Sequence, residues 1–140
     1  MKNEKSYTIT SLIRNVLVTN WLKNWKKLVV FWQTLFIFKQ NFSKIKKNGI
    51  HGAPDLVVEI ISPGSIQRDR YIKKELYERH GVQEYWLVDT DKKSVELLNN
   101  TGLKFELFSV TVGKGKIESC LLPEMEIMIE DIFPEFDLSD

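Results

Sequence analysis

The stretch GAPDLVVEIISPGS, residues 52–65, decides how this chain folds. Its apolar run is rich in β-branched side chains and is bounded by Gly52 and by Pro63-Gly64, which predicts a strand with a turn at each end. Two acids interrupt that run. Side chains alternate along a strand, so Asp55, Val57, Glu59 and Ile61 share one face, while Leu56, Val58 and Ile60 share the other. Burying a carboxylate on a sheet face is costly unless it is paired, hydrogen-bonded or bound to a cation. At about 3.3 Å rise per residue, Asp55 and Glu59 stand roughly 13 Å apart at Cα, too far to grip one ion from a straight strand. Glu59 therefore needs a partner from elsewhere in the fold.

Downstream, RDRYIKKELYERHG (68–81) has the spacing of a helix. Asp69 suits its first turn, Gly81 its C-terminal cap, and Ile72, Leu76 and Tyr77 form an apolar stripe, of which Ile72 and Leu76 are expected to face the sheet. Lys73 lies on a separate stripe. VQEYWLVDT (82–90) predicts a second buried strand, with Tyr85 and Trp86 one on each face. Strand, helix and strand with short connections imply a right-handed crossover and a parallel pair. SVELL (94–98), LKFELFSVT (103–111) and KIESC (116–120) look like antiparallel strands joined by Asn-Asn-Thr-Gly and Gly-Lys-Gly turns. Gly113-Lys114-Gly115 lacks the context of a phosphate-binding loop. Residues 121–136 should close the domain with a short strand or irregular segment and a brief helix. The fold class is α/β with a mixed sheet.

The 140 residues suffice for one domain. A single cysteine, Cys120, excludes an internal disulfide, fits a reducing cytoplasm and is expected to be a buried, inert thiol. His51 and His80 have no ligand spacing and are expected to be solvated. The net charge of +1 hides an asymmetry, because residues 1–49 hold ten Lys/Arg against one acid, Glu4, and the remainder holds ten against eighteen. The expected organisation is a basic, atypical N-terminal segment, 1–49, and a core, 50–140. Clustered bases commonly neutralise phosphate, on nucleic acid or a membrane surface. Trp21, Trp25 and Trp32 also lie in the basic segment. Its apolar run LVVFWQTLFIF (28–38) falls short of the about 20 residues that span a bilayer and is expected to be a buried strand or helix, the lesser alternative being an interfacial anchor, with no membrane crossing.

Two readings of the acids follow. In one, Asp55 stands at the exposed start of its strand and Glu59 pairs with Lys73 or Arg70 from the helix. In the other, carboxylates hold magnesium against a scissile phosphate while a lysine steadies the attacking water. The residue pattern alone leaves both open.

GAPDLVVEIISPGS followed by Asp69 and Lys73, then LYERHGVQEYWLVD (76–89) and LLPEMEIMIEDIF (121–133), closely resembles the Uma-type restriction endonuclease family of the PD-(D/E)XK nuclease superfamily, over residues 50 to about 133. The resemblance implies a restriction-endonuclease-like mixed sheet flanked by helices, and magnesium-dependent cleavage of DNA. Carried over position by position, Glu59 is the acid of the (D/E)XK strand and a metal ligand. Ile61 stands where the pattern expects lysine, Lys73 on the helix is the displaced lysine with Lys74 a weaker substitute, and Asp55 is the acid of the PD pair and second metal ligand. A homodimer is left open. Relatives carry an earlier strand with another aspartate and a helix with a glutamate, whereas residues 28–49 here contain no acid. The resemblance is expected to break near residue 42, as a shifted reading frame or rearranged gene start would produce. The expected function is a degenerate endonuclease, and the alternative is a non-catalytic remnant with weak nucleic-acid binding.

Overall fold

The computed structural model describes residue 13, residues 27–31, 34–38, 45–46, 49–50, 52–61, 64 and 68–133. Trp21, Trp25, Trp32, His51, Pro63 and the side chain of Asp69 lie outside the described residues.

The run at 28–38 forms two short strands, β1 (Lys27–Phe31) and β2 (Thr34–Phe38), paired antiparallel. A separate two-stranded ribbon, β3 (Ile45–Lys46) and β4 (Gly49–Ile50), follows. The deciding stretch is β5 (Leu56–Ile61), buried at every position. A π-helical segment, Arg68–Lys73, runs into α1 (Lys74–Arg79) and returns the chain to β6 (Glu84–Asp89), which lies parallel to β5. Gly81, at φ 81°, ends α1 in the left-handed region that glycine enters without strain. β7 (Ser94–Asn100) and β8 (Phe105–Val112) complete the sheet as an antiparallel meander. The six strands run in the order β1-β2-β5-β6-β7-β8, with β5 and β6 at the centre.

Two apolar layers cover this sheet. Leu56, Val58, Ile60, Trp86 and Val88 pack on one face beneath Ile117, Leu122, Ile127 and Ile132 of the closing segment, which includes α2 (Ile129–Ile132). Val57, Ile61, Tyr85, Leu87 and Leu98 pack on the other, where Tyr77 of α1 meets the ring of Tyr85 edge-on at 5.2 Å. Trp86 and Tyr85 thus occupy opposite faces.

Three expectations are corrected. Residues 116–120 form no strand: only an isolated bridge joins Lys116 to Met128, because Ser119, Cys120 and Leu121 are drawn onto the buried carboxylate of Glu84. That tether, made through the backbone N–H of Cys120, leaves its thiol exposed, not buried. Ile72 and Leu76 point outward, 68% and 47% exposed, and the stripe carrying Lys73 and Tyr77 faces the sheet in their place.

Candidate functional site

Glu59 lies on β5 at 1% exposure, on the face covered by the π-helical segment and α1. Across the sheet its row runs from Thr34 on β2 through Glu59 to Leu87 on β6 and Glu96 on β7. The two carboxylates of that row therefore flank one apolar side chain, and each receives a cation from the crossover. Lys73 Nζ sits 3.2 Å from both Glu59 oxygens. Arg70 holds Glu96 with two parallel hydrogen bonds, of 2.8 and 2.9 Å.

Positions 70, 73 and 77 recur at helical spacing, so one face of the crossover presents a guanidinium, an ammonium and a phenol to the sheet. The hydrogen-bonded Glu96 carboxylate holds the Arg70 guanidinium above its ordinary value. A folded-state value raised above arginine's ordinary one contributes stability that is fully present below that ordinary value and is lost only as pH rises through the higher folded value, so arginine titration leaves this pair intact at working pH.

Glu59 is engaged from two further directions. Thr34 Oγ1 donates to Oε2 at 2.7 Å and Tyr77 OH donates to Oε1 at 2.8 Å. Thr34 is the cross-strand partner of Glu59, in the antiparallel strand next to β5. The family resemblance leads one to expect an aspartate on an earlier strand, but none of the β2 residues Thr34–Phe38 is acidic. Neither Thr34 nor Tyr77 stood out in the sequence. Tyr77 was legible only as core, and Thr34 becomes a partner through a pairing 25 residues away.

Asp55 does not stand at an exposed strand start. It is 3% exposed, and its backbone ties three strands together: its N–H donates to Ile37 O at 2.9 Å, and its carbonyl accepts from Gln83 and Glu84 N–H groups. Lys74 is half-buried at the start of α1.

A magnesium site needs near-octahedral oxygen ligands, usually one or two carboxylates with several waters. Here both Glu59 oxygens are already engaged, the ammonium of Lys73 lies across them, and a hydroxyl occupies the facing strand. Among the described residues no group of three His, Cys, Asp or Glu side chains could hold a metal ion. The donor set as arranged does not suit a divalent cation.

A six-stranded mixed sheet with a parallel central pair, a helical crossover and a buried Glu-Lys contact on the crossover side defines an α/β domain of restriction-endonuclease-like fold. The sequence model of the Uma2 family, described as "Putative restriction endonuclease", matches residues 34–139, and the chain belongs to that family. The match begins at residue 34, so the expected break near 42 is corrected: β2 and the segment after it lie inside the family's domain. In fold the chain is similar to the crystal structure of "a putative nuclease belonging to DUF820" from Anabaena variabilis, with TM-score 0.62, 20% identity, and coverage of 92% of this chain and 80% of that one. No curated protein matches. Among the described residues no helix is long and apolar enough to cross a membrane.

Proposed function

We propose that this chain is a degenerate DNA endonuclease domain, one that keeps the nuclease architecture and the Glu59-Lys73 half of a site but binds DNA without hydrolysing it efficiently. The observation that carries this reading is the saturation of Glu59 by Thr34, Lys73 and Tyr77. A carboxylate serving magnesium must offer lone pairs to the ion, and here they accept hydrogen bonds that fasten the crossover to the sheet. Affinity for DNA is assigned to residues 1–49, where ten bases stand against one acid. Contacts of that kind neutralise phosphates, so binding should weaken steeply with salt and show little dependence on sequence.

A second reading is supported by Lys73, whose ammonium lies beside Glu59 as the superfamily pattern requires of its lysine. In it the chain is an active magnesium-dependent endonuclease in which Glu59 and Asp55 bind the ion and Lys73 steadies the attacking water.

One experiment separates the two. Supercoiled plasmid is incubated with the purified chain and magnesium or manganese, beside Glu59→Ala and Lys73→Ala variants, while DNA binding is followed by fluorescence anisotropy across a salt series. The degenerate domain should bind in a salt-dependent manner and nick no faster than either variant. Robust, chelator-sensitive cleavage lost in both variants would establish the active enzyme and overturn the first reading.

A further inference from the structure

His80 caps the carboxyl end of α1, and its ring is fixed there. Its Nδ1 lies 2.8 Å from the carbonyl oxygen of Leu76, one turn back in the helix. A carbonyl can only accept, so Nδ1 is the protonated nitrogen, and in the neutral ring Nε2 keeps its lone pair. Nε2 has no hydrogen-bond partner among the described residues. The imidazole lines a cleft of about 290 Å³ between the end of α1 and the chain entering β5. The other walls are Ala53, Pro54, Leu76, Val82 and the ring of Tyr77. Tyr77 is held in place, because its ring meets that of Tyr85 and its hydroxyl donates to Glu59. The result is an open apolar cleft of small-ligand size with one hydrogen-bond acceptor.

We infer that this cleft receives an unpaired nucleobase of a single strand, an inference that rests on the DNA-binding reading above and names the feature of the nucleic acid that is bound. Two observations select this ligand. Every nucleobase is flat and carries an N–H donor on the edge that base pairing would occupy, so a single acceptor between apolar walls fits any base once it leaves the duplex. The chain at the lip of the cleft, Gly52-Ala53-Pro54, also follows the β3–β4 ribbon almost immediately, and the sequence of that ribbon, SKIKKNGI (43–50), carries Lys44, Lys46 and Lys47. No acid occurs between Glu4 and Asp55. Lysines so close in sequence to the lip suit a ligand that brings phosphates with it, which a free aromatic molecule does not. Binding is then divided. The phosphates supply affinity that salt screens, and the base supplies a preference that salt leaves in place.

The test follows the full chain by fluorescence anisotropy with labelled oligonucleotides of one length: a single strand, the same strand built from abasic sites, and the matching duplex, each across a salt series. The base-bearing strand should bind roughly tenfold more tightly than the abasic one, which carries the same phosphates, and that ratio should persist as salt lowers both affinities. Leu76→Glu, at a position 47% exposed, sets a carboxylate in the cleft and should bring the ratio close to one in a protein that circular dichroism and thermal unfolding show to be folded. The added charge acts on both strands alike, so the ratio isolates the cleft. His80→Leu keeps an apolar wall but removes the acceptor and should lower the ratio roughly threefold. Equal binding of the two strands, or a ratio that either variant leaves unchanged, would overturn the nucleobase site while the salt-dependent affinity for DNA stands. Absence of salt-dependent binding to any of the oligonucleotides would overturn the DNA-binding reading and the site together.

Discussion

Glu59 and Glu84 are both carboxylates buried in the central strands, on opposite faces of the sheet, and comparing them shows what each does. Glu84, fully buried, accepts from Trp86 Nε1 at 2.8 Å, Ser119 Oγ at 2.6 Å, and the Cys120 and Leu121 backbone N–H groups at 2.8 and 3.3 Å. It therefore fixes the entry of the closing segment onto β6, a structural task with no role for a ligand. Glu59 is satisfied in the same way, with a lysine in place of backbone donors. Removing Glu84 strands four donors, of which those of Trp86 and Ser119 are buried. Glu84→Ala should therefore cost about 3 kcal/mol, and Glu84→Gln should also destabilise because its amide N–H faces other donors. Urea denaturation followed by tryptophan fluorescence checks both. A midpoint unchanged in Glu84→Ala would remove the structural role assigned to this residue.

The crossover is the element where local pattern and tertiary structure disagree. Its apolar residues Ile72 and Leu76 have helical spacing, and taken alone they belong on the sheet. The sheet, however, presents two carboxylates on that side, Glu59 and Glu96, and a buried carboxylate left without a partner costs more than two exposed aliphatic side chains. Arg70, Lys73 and Tyr77 turn inward accordingly, and the apolar stripe is displaced to solvent. β5 itself was legible because a short β-branched run between turn residues has few alternatives, and so was its parallel partner β6. The inward face of the crossover was not, since Glu96 lies 26 residues beyond Arg70 and nothing local announces the pair. Ile72→Lys should accordingly change stability by no more than about 0.5 kcal/mol. Tyr77→Phe, which removes a donor from a buried carboxylate, should cost about 1 to 3 kcal/mol. Thermal unfolding of the two variants in parallel decides the orientation: an Ile72→Lys protein more damaged than Tyr77→Phe would mean that the apolar stripe faces the sheet after all.

At the scale of the whole molecule, the abrupt change in charge near residue 50 does not coincide with an edge of the sheet. β2 lies in the basic segment, yet it pairs with β5 through four registered residues from Thr34 to Ile37 and contributes Leu35 and Ile37 to the same core as Leu56 and Val58. Composition follows solvent-facing residues, while membership of a sheet follows the buried ones, and in β2 only Phe36 is not buried. This predicts a pattern of amide exchange. β5 and β6 are buried at every position and flanked by strands on both sides, so their amides should exchange only through global unfolding. β2, held between β1 and β5, should be protected to nearly the same degree, and the outward-facing amides of β8 other than that of Phe105, which donates to Glu78, should exchange fastest. Native-state hydrogen exchange by mass spectrometry reads all three at once. Rapid exchange across Thr34–Phe38 beside slow exchange in β5 would mean that the basic segment is peripheral to the core and that Thr34 does not hold Glu59 in place.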